Sequence, residues 1–202
     1  MRLIAGYPGP DTGLAMSQEN VEIVRKPLRV RDPSSRPLDQ RLALRFPRLA
    51  NAYGRFILDH LPPTSRLRQV AVWRSSRLGM EAFNRRDIDA AVFYGHPDFD
   101  YYPPREFVEA GFFEACYRGA AGFRDYVSAW SEVVGVRVEP VELIDLGDRV
   151  VLLAELPLRA QASGVPITGK IDTVSILTNG KASRVHTYLD HAEALKAVGL
   201  SE

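Results

Sequence analysis

The sequence predicts an α+β fold in which helices come first and a curved, mostly antiparallel sheet wraps around them. Three observations lead there. Between residues 42 and 130 apolar residues recur at spacings of three and four, the helical period. From residue 136 onward the pattern changes to short runs rich in Val, Ile, Leu and Thr. Gly147-Asp148 and Asn179-Gly180 interrupt those runs where tight hairpin turns belong. Helices in one block and strands in the next is the order of an α+β domain, not of alternating βαβ units.

Residues 1–15 are rich in Gly and Pro without periodicity and are expected to be a mobile tail. Met16, a second candidate start, opens "MSQENVEIVR", a short helix capped by Ser17. Pro27, Pro33 and Pro37 then make turns. Leu42, Phe46, Leu49, Tyr53 and Phe56 form an amphipathic stripe, with Pro47 either kinking one helix or starting a second. Arg41, Arg45, Arg48 and Arg55 occupy another, solvated face. Pro62 and Pro63 precede a helix capped by Thr64 or Ser65, with Leu67, Val70, Ala71, Leu78, Ala82 and Phe83 as its buried stripe. Asp87 caps the short helix "DIDAAVFYG". Phe99–Tyr102 is a brief strand, "REFVEAGFFEACY" wraps as loop and helical turns, and "GAAGFRDYVSAWSEVVG" is a helix with Phe123, Val127 and Trp130 on one side. Residues 136–161 read as two strands, residues 165–190 as two more, and "HAEALKAVGL" as a closing helix.

The formal net charge is +1, unevenly spread: residues 1–86 hold 16 Lys/Arg and 7 Asp/Glu, residues 87–202 hold 10 and 18. Such asymmetry marks either a surface for an anionic partner or a basic half docked on the acidic half of its own fold or of a twin subunit, and the second is expected here. The Arg run lacks the interleaved aromatics of a single-strand nucleic-acid groove, so no nucleic-acid partner is expected. The lone Cys116 excludes an internal disulfide and fits a reducing compartment. No apolar run approaches the roughly 20 residues of a membrane-spanning helix, and the N-terminus is not a secretory signal. A cytoplasmic protein is expected. Four scattered histidines (His60, His96, His186 and His191) have no metal-ligand spacing, and no Gly-rich phosphate loop or nucleophile elbow is present, so no metal or cofactor is expected.

The order of "FNRRDIDAAV", "HPDFDYYPP", "YRGAAGFRDYVSAW", "LGDRVVLLAEL", "SGVPITGK" and "GKASRVHTYLDHAEALKAVGL" resembles the SnoaL-like branch of the nuclear transport factor 2-like superfamily. The similarity covers residues 71–202 and, in part, 16–25. It implies a single cone-shaped domain over 16–202 with a cystatin-like fold: N-terminal helices packed into a strongly bent sheet around an apolar pocket, often dimeric through the sheet. Residues 27–70 would be an extra basic helical insertion. The superfamily includes ketosteroid isomerases, epoxide hydrolases, polyketide cyclases, dehydratases and noncatalytic members. Carried over residue by residue, the isomerase donor tyrosine falls on Gly79, its base on Tyr101 or Tyr102, and its donor aspartate on Asp172. The epoxide hydrolase acid on the last strand falls on Thr187. A phenol with an ordinary pKa of about 10 does not replace a carboxylate base.

Strand alternation assigns Phe99 and Tyr101 to the pocket and sends Asp98, Asp100 and Tyr102 outward. By register, Asp172, Val174 and Ile176 share the pocket face with Val185, Thr187 and Leu189, leaving His186 and Tyr188 outside. Phe83 and Trp130 floor the pocket. Asp172 and Tyr101 are thus the candidate catalytic pair, and the residues leave catalysis itself open. The favoured expectation is a binder of a small apolar organic molecule, homodimeric through its sheet. The alternatives are an isomerase, cyclase or dehydratase of a polyketide- or steroid-like carbonyl compound, or an interaction module using the basic helices at a membrane surface, although membrane contact is not expected.

Overall fold

The computed structural model describes residues 36–134, 137–159 and 166–200. The expected tail over 1–15, the helix capped by Ser17 and the turns at Pro27 and Pro33 lie outside them. Within the described residues, α1 (Leu38–Arg45), α2 (Pro47–His60), α3 (Arg66–Asn84) and α4 (Ile88–Val92) precede β1 (Gly95–Tyr102). Then come α5 (Arg105–Glu109), β2 (Tyr117–Arg118) and α6 (Gly119–Val133). Strands β3 (Glu139–Asp145), β4 (Arg149–Arg159), β5 (Pro166–Lys170), β6 (Asp172–Thr178) and β7 (Lys181–Tyr188) follow, and α7 (His191–Ala197) closes the order. One curved seven-stranded sheet runs β2-β1-β7-β6-β4-β3, with β5 paired to β4. Among the described residues only the β1–β7 pairing is parallel.

The local chemistry explains the breaks. Phe46 leaves the helical region (φ −125°, ψ 62°) because the residue before a proline is pushed toward extended backbone. Pro47 then occupies the first turn of α2, where its missing N–H costs nothing. Asp87 caps α4 through the Ala90 N–H and also takes a two-bond ion pair from Arg36 (2.6 and 2.7 Å). Asn179 and Gly180 both have positive φ (53° and 75°), the backbone of a two-residue hairpin turn. At Gly180 a Cβ would come within 2.7 Å of the Arg55 Cα, so a glycine there lets α2 rest directly on the β6–β7 turn.

Two features differ from expectation. Residues 165–190 form three strands: β4 pairs with β6 over Arg149–Leu152, then with β5 over Glu155–Arg159. At the switch Ile171 turns into the core and its N–H reaches the Ala154 carbonyl (3.0 Å). The two-residue β2 against β1 is too short to carry a period.

Helix α6 lies across the inner face of the sheet. Its Tyr126 and Trp130 are fully enclosed, and Phe99, Tyr101, Phe113, Phe123, Ala154 and Leu156 pack around them. The outer face over β4 and β6 is covered by α7, with Ala194 against Val151, Leu153 and Val174. Asn84 ties the end of α3 to the start of β3: its amide donates to the Val138 carbonyl (2.8 Å) and accepts from the Val138 N–H (2.9 Å). Arg68, only 2% exposed, binds both oxygens of Asp145 (2.7 and 2.9 Å) and the carbonyls of Leu58, Leu61 and Gly147. It thereby joins α3, the end of α2 and the β3–β4 turn.

Candidate ligand cavity

The inner sheet face and the helices enclose a cavity of about 990 Å³. Val150 and Leu152 of β4, Thr173, Ser175 and Leu177 of β6 and Val185 of β7 form one wall. Met80 and Phe83 of α3 and Phe123, Tyr126 and Trp130 of α6 form the opposite one. Leu42, Phe46, Leu49, Tyr53 and Ile57 of α1 and α2 complete the rim.

These rim residues correct the sequence reading. Leu42, Phe46, Leu49, Tyr53 and Phe56 of the amphipathic stripe, and Leu67 and Val70 of the stripe expected to be buried, are each about half exposed or more, up to 72% at Leu49. Helices α1 and α2 reach the rest of the protein through few side chains, Gln40 and Ile57 being their buried ones, so most of their apolar face borders the opening. Gln40 is held there by bonds to the Leu78 carbonyl (3.2 Å) and from Arg85 (2.5 Å).

Of the predicted site residues, Phe83, Phe99, Tyr101, Trp130 and Val185 line the cavity. Thr187 points to the same interior but is buried beneath it, where its hydroxyl donates to Tyr101 (3.0 Å). Leu189 packs on the same core beyond the end of β7. Asp172, Val174 and Ile176 do not share this face. An unbroken ladder from the two-residue turn would pair Asp172 with Thr187. Instead, the register shifts between Ile176 and Leu177: Leu177 pairs with Ala182 but Ile176 with Arg184, which leaves Ser183 as an extra residue. Asp172 therefore pairs with Tyr188, and the odd-numbered residues of β6 face the cavity.

Asp172 is completely buried on the outer side. One oxygen accepts the Ala154 N–H (3.1 Å), capping the ladder where β4 changes partners, and the other meets His191 Nδ1 at the start of α7. Desolvation raises its pKa above the usual carboxylate value, against the opposing pull of these bonds. A His–Asp pair thus exists, but outside the cavity. Asp98 is exposed, and Asp100 faces outward beside Arg118 (3.7 Å). Tyr102 and His186 also lie outside, stacked with ring centres 4.4 Å apart.

At the base of the cavity Tyr101 accepts from the buried Thr187 beneath it and donates to Tyr126 (3.0 Å). Burial raises the pKa of both phenols, Tyr126 most, so they act as neutral hydrogen-bonding groups. Tyr126 was missed from sequence, although it stands three residues after Phe123 and four before Trp130 on one helical face. Three lining residues carry charge: Asp39 and Arg74, which pair with each other (2.7 Å), and Lys181. Among the described residues no cluster of three His, Cys, Asp or Glu side chains could hold a metal ion, and no helix is long and apolar enough to cross a membrane.

A family model described as a SnoaL-like domain matches residues 77–188. The chain belongs to the SnoaL-like family. The matched span takes in β1 to β7 and the C-terminal part of α3, so α1 and α2 lie before it. Among solved structures, this SnoaL-like chain is similar to TerC co-crystallised with polyporic acid, at 25% identity and a TM-score of 0.50, over 58% of this chain and 89% of that one. It is also similar to an NTF2-like protein of unknown function from Burkholderia pseudomallei, at 24% identity and a TM-score of 0.50, over 63% and 96% of the two chains. No curated protein matches the sequence.

Proposed function

We propose that this SnoaL-like protein binds a small apolar organic molecule in the cavity between its helices and its sheet. The observation that carries the reading is the cavity itself: about 990 Å³, walled by aliphatic and aromatic side chains, with a phenol–hydroxyl relay at its base. TerC, co-crystallised with polyporic acid, lends support from a similar structure. An isomerase-like reaction through Asp172 and Tyr101 is disfavoured, because the carboxyl lies on the opposite side of the sheet from the phenol. The one carboxyl on the cavity wall among the described residues, Asp39, is held by Arg74.

Titration with N-phenyl-1-naphthylamine, a neutral dye that brightens in apolar surroundings, tests this reading. The wild type is expected to bind the dye, and Leu152→Trp, which projects an indole into the open space, is expected to lose that binding at least tenfold while remaining folded by circular dichroism. Equal dye binding in both proteins would remove the cavity as the site.

A homodimer through the sheet belongs to the same reading. Helix α7 covers β4, β6 and β7, and among the described residues no helix packs over the outer face around Tyr102 and His186. Light scattering is expected to give twice the chain mass, and Tyr102→Glu to halve it; a monomeric wild type would end the dimer proposal. A cytoplasmic location rests on the lone Cys116 alone and is checked by cell fractionation. Residues 38–60 act in this reading as an added rim to a single domain.

A further inference from the structure

Lys181 opens β7, and its side chain stands on the cavity wall. Its Nζ donates to the Phe93 carbonyl (3.0 Å) and lies 5.3 Å from the centre of the Phe93 ring. An ammonium carries three donors and no acceptor, so a single carbonyl leaves two N–H groups without a protein partner among the described residues. Burial lowers its proton affinity, and among the described residues no carboxylate offsets that cost. Asp39 and Arg74 neutralise each other, so among the described lining residues one positive charge remains, on Lys181, beside a largely apolar wall. A charge so placed is stabilised when an opposite charge comes to it.

We propose that the ligand supplies that charge: the cavity takes apolar monocarboxylates, with the acid group on the Lys181 ammonium. Two free donors on a compact cation match the two oxygens of a carboxylate, whereas a phosphate would leave more acceptors unmet. Along β7, about 3.3 Å per residue puts Val185, the partner of Tyr101, roughly 13 Å from Lys181. The apolar body then runs along the strand toward the phenols of Tyr101 and Tyr126. This inference rests on the reading of the cavity as a ligand site, and the test separates the two.

Dodecanoate and dodecanol, and 2-naphthoate and its methyl ester, are compared as competitors of bound N-phenyl-1-naphthylamine. In the wild type each acid is expected to displace the dye at concentrations about tenfold lower than its neutral counterpart, the gain of one charge-assisted hydrogen bond. Lys181→Met should bring acid and neutral competitor level, each measured against the variant's own dye affinity, with circular dichroism reporting that it is folded. Lys181→Arg should keep a preference for the acid. Equal competition in the wild type, or an undiminished acid preference in Lys181→Met, overturns the Lys181 anchor and leaves the cavity reading standing. A wild type that fails to bind the dye overturns both.

Discussion

Replacing Arg68 with alanine is expected to lower the unfolding free energy by about 3–5 kcal/mol, the range seen when one partner of a buried ion pair is removed. The substitution strands the Asp145 carboxylate, 4% exposed, without its counter-charge. It also leaves the carbonyls of Leu58, Leu61 and Gly147 without this donor. Against the 5–15 kcal/mol of an ordinary domain, such a loss is a large fraction of the whole. Urea denaturation measures it, and Tm should fall on the order of 10 °C for a chain of this size. Arg68→Lys should recover little, because a single ammonium does not reproduce the planar fork that reaches both carboxylate oxygens and three carbonyls. The double replacement Arg68→Met with Asp145→Leu should recover part of the loss by removing the orphaned charge. A change below about 1 kcal/mol in Arg68→Ala would show that the hub does not hold the fold.

The second large effect is expected at Asp172. Asp172→Ala exposes the Ala154 N–H and the His191 ring to an empty space, at a cost of about 2–4 kcal/mol from lost buried hydrogen bonds and the void together. Asp172→Asn should cost less, since its amide oxygen still accepts from Ala154. The pH dependence has a defined sign. The native pKa is raised above the unfolded value near 3.8, so the folded protein holds this proton more tightly. The stability contributed by the group is present below the unfolded pKa and is lost as pH rises through the native one. Wild type minus Asp172→Asn stability, measured by urea titration, should therefore fall as pH rises across that window. A difference that rises instead would mean that the ion pair outweighs desolvation. Dye binding should be the same in wild type and both variants, because the side chain lies on the far side of the sheet.

The order of helices and strands was legible because most elements are long enough to show a period and are separated by proline, glycine or a capping acid. Pro47 and Asp87 each stand where a helix begins, and Asn179-Gly180 stands between two strands. The face of β1 was legible for the same reason: Phe99 and Tyr101 alternate with Asp98 and Asp100 over a strand whose pairing with β7 is in step from Asp100 onward. The face of β6 was not. Thr173, Ser175 and Leu177 are no more apolar than Asp172, Val174 and Ile176, because both sides of β6 are covered, so composition gives no sign of the inserted Ser183. Nor does the spacing of Leu42, Phe46 and Leu49 say whether a helix finds a partner for its apolar side. Tyr126 hid between better hydrophobes.

The rim formed by α1 and α2 precedes the span shared with the family and rests on the remainder through the Arg68 hub, the Gly180 contact and a few buried side chains. These two helices border the opening of the cavity and are held to the sheet by those few anchors. In the proposed binding role, exchanging these two helices is expected to change which molecules reach the cavity, because they supply the rim and the strands beneath supply the wall.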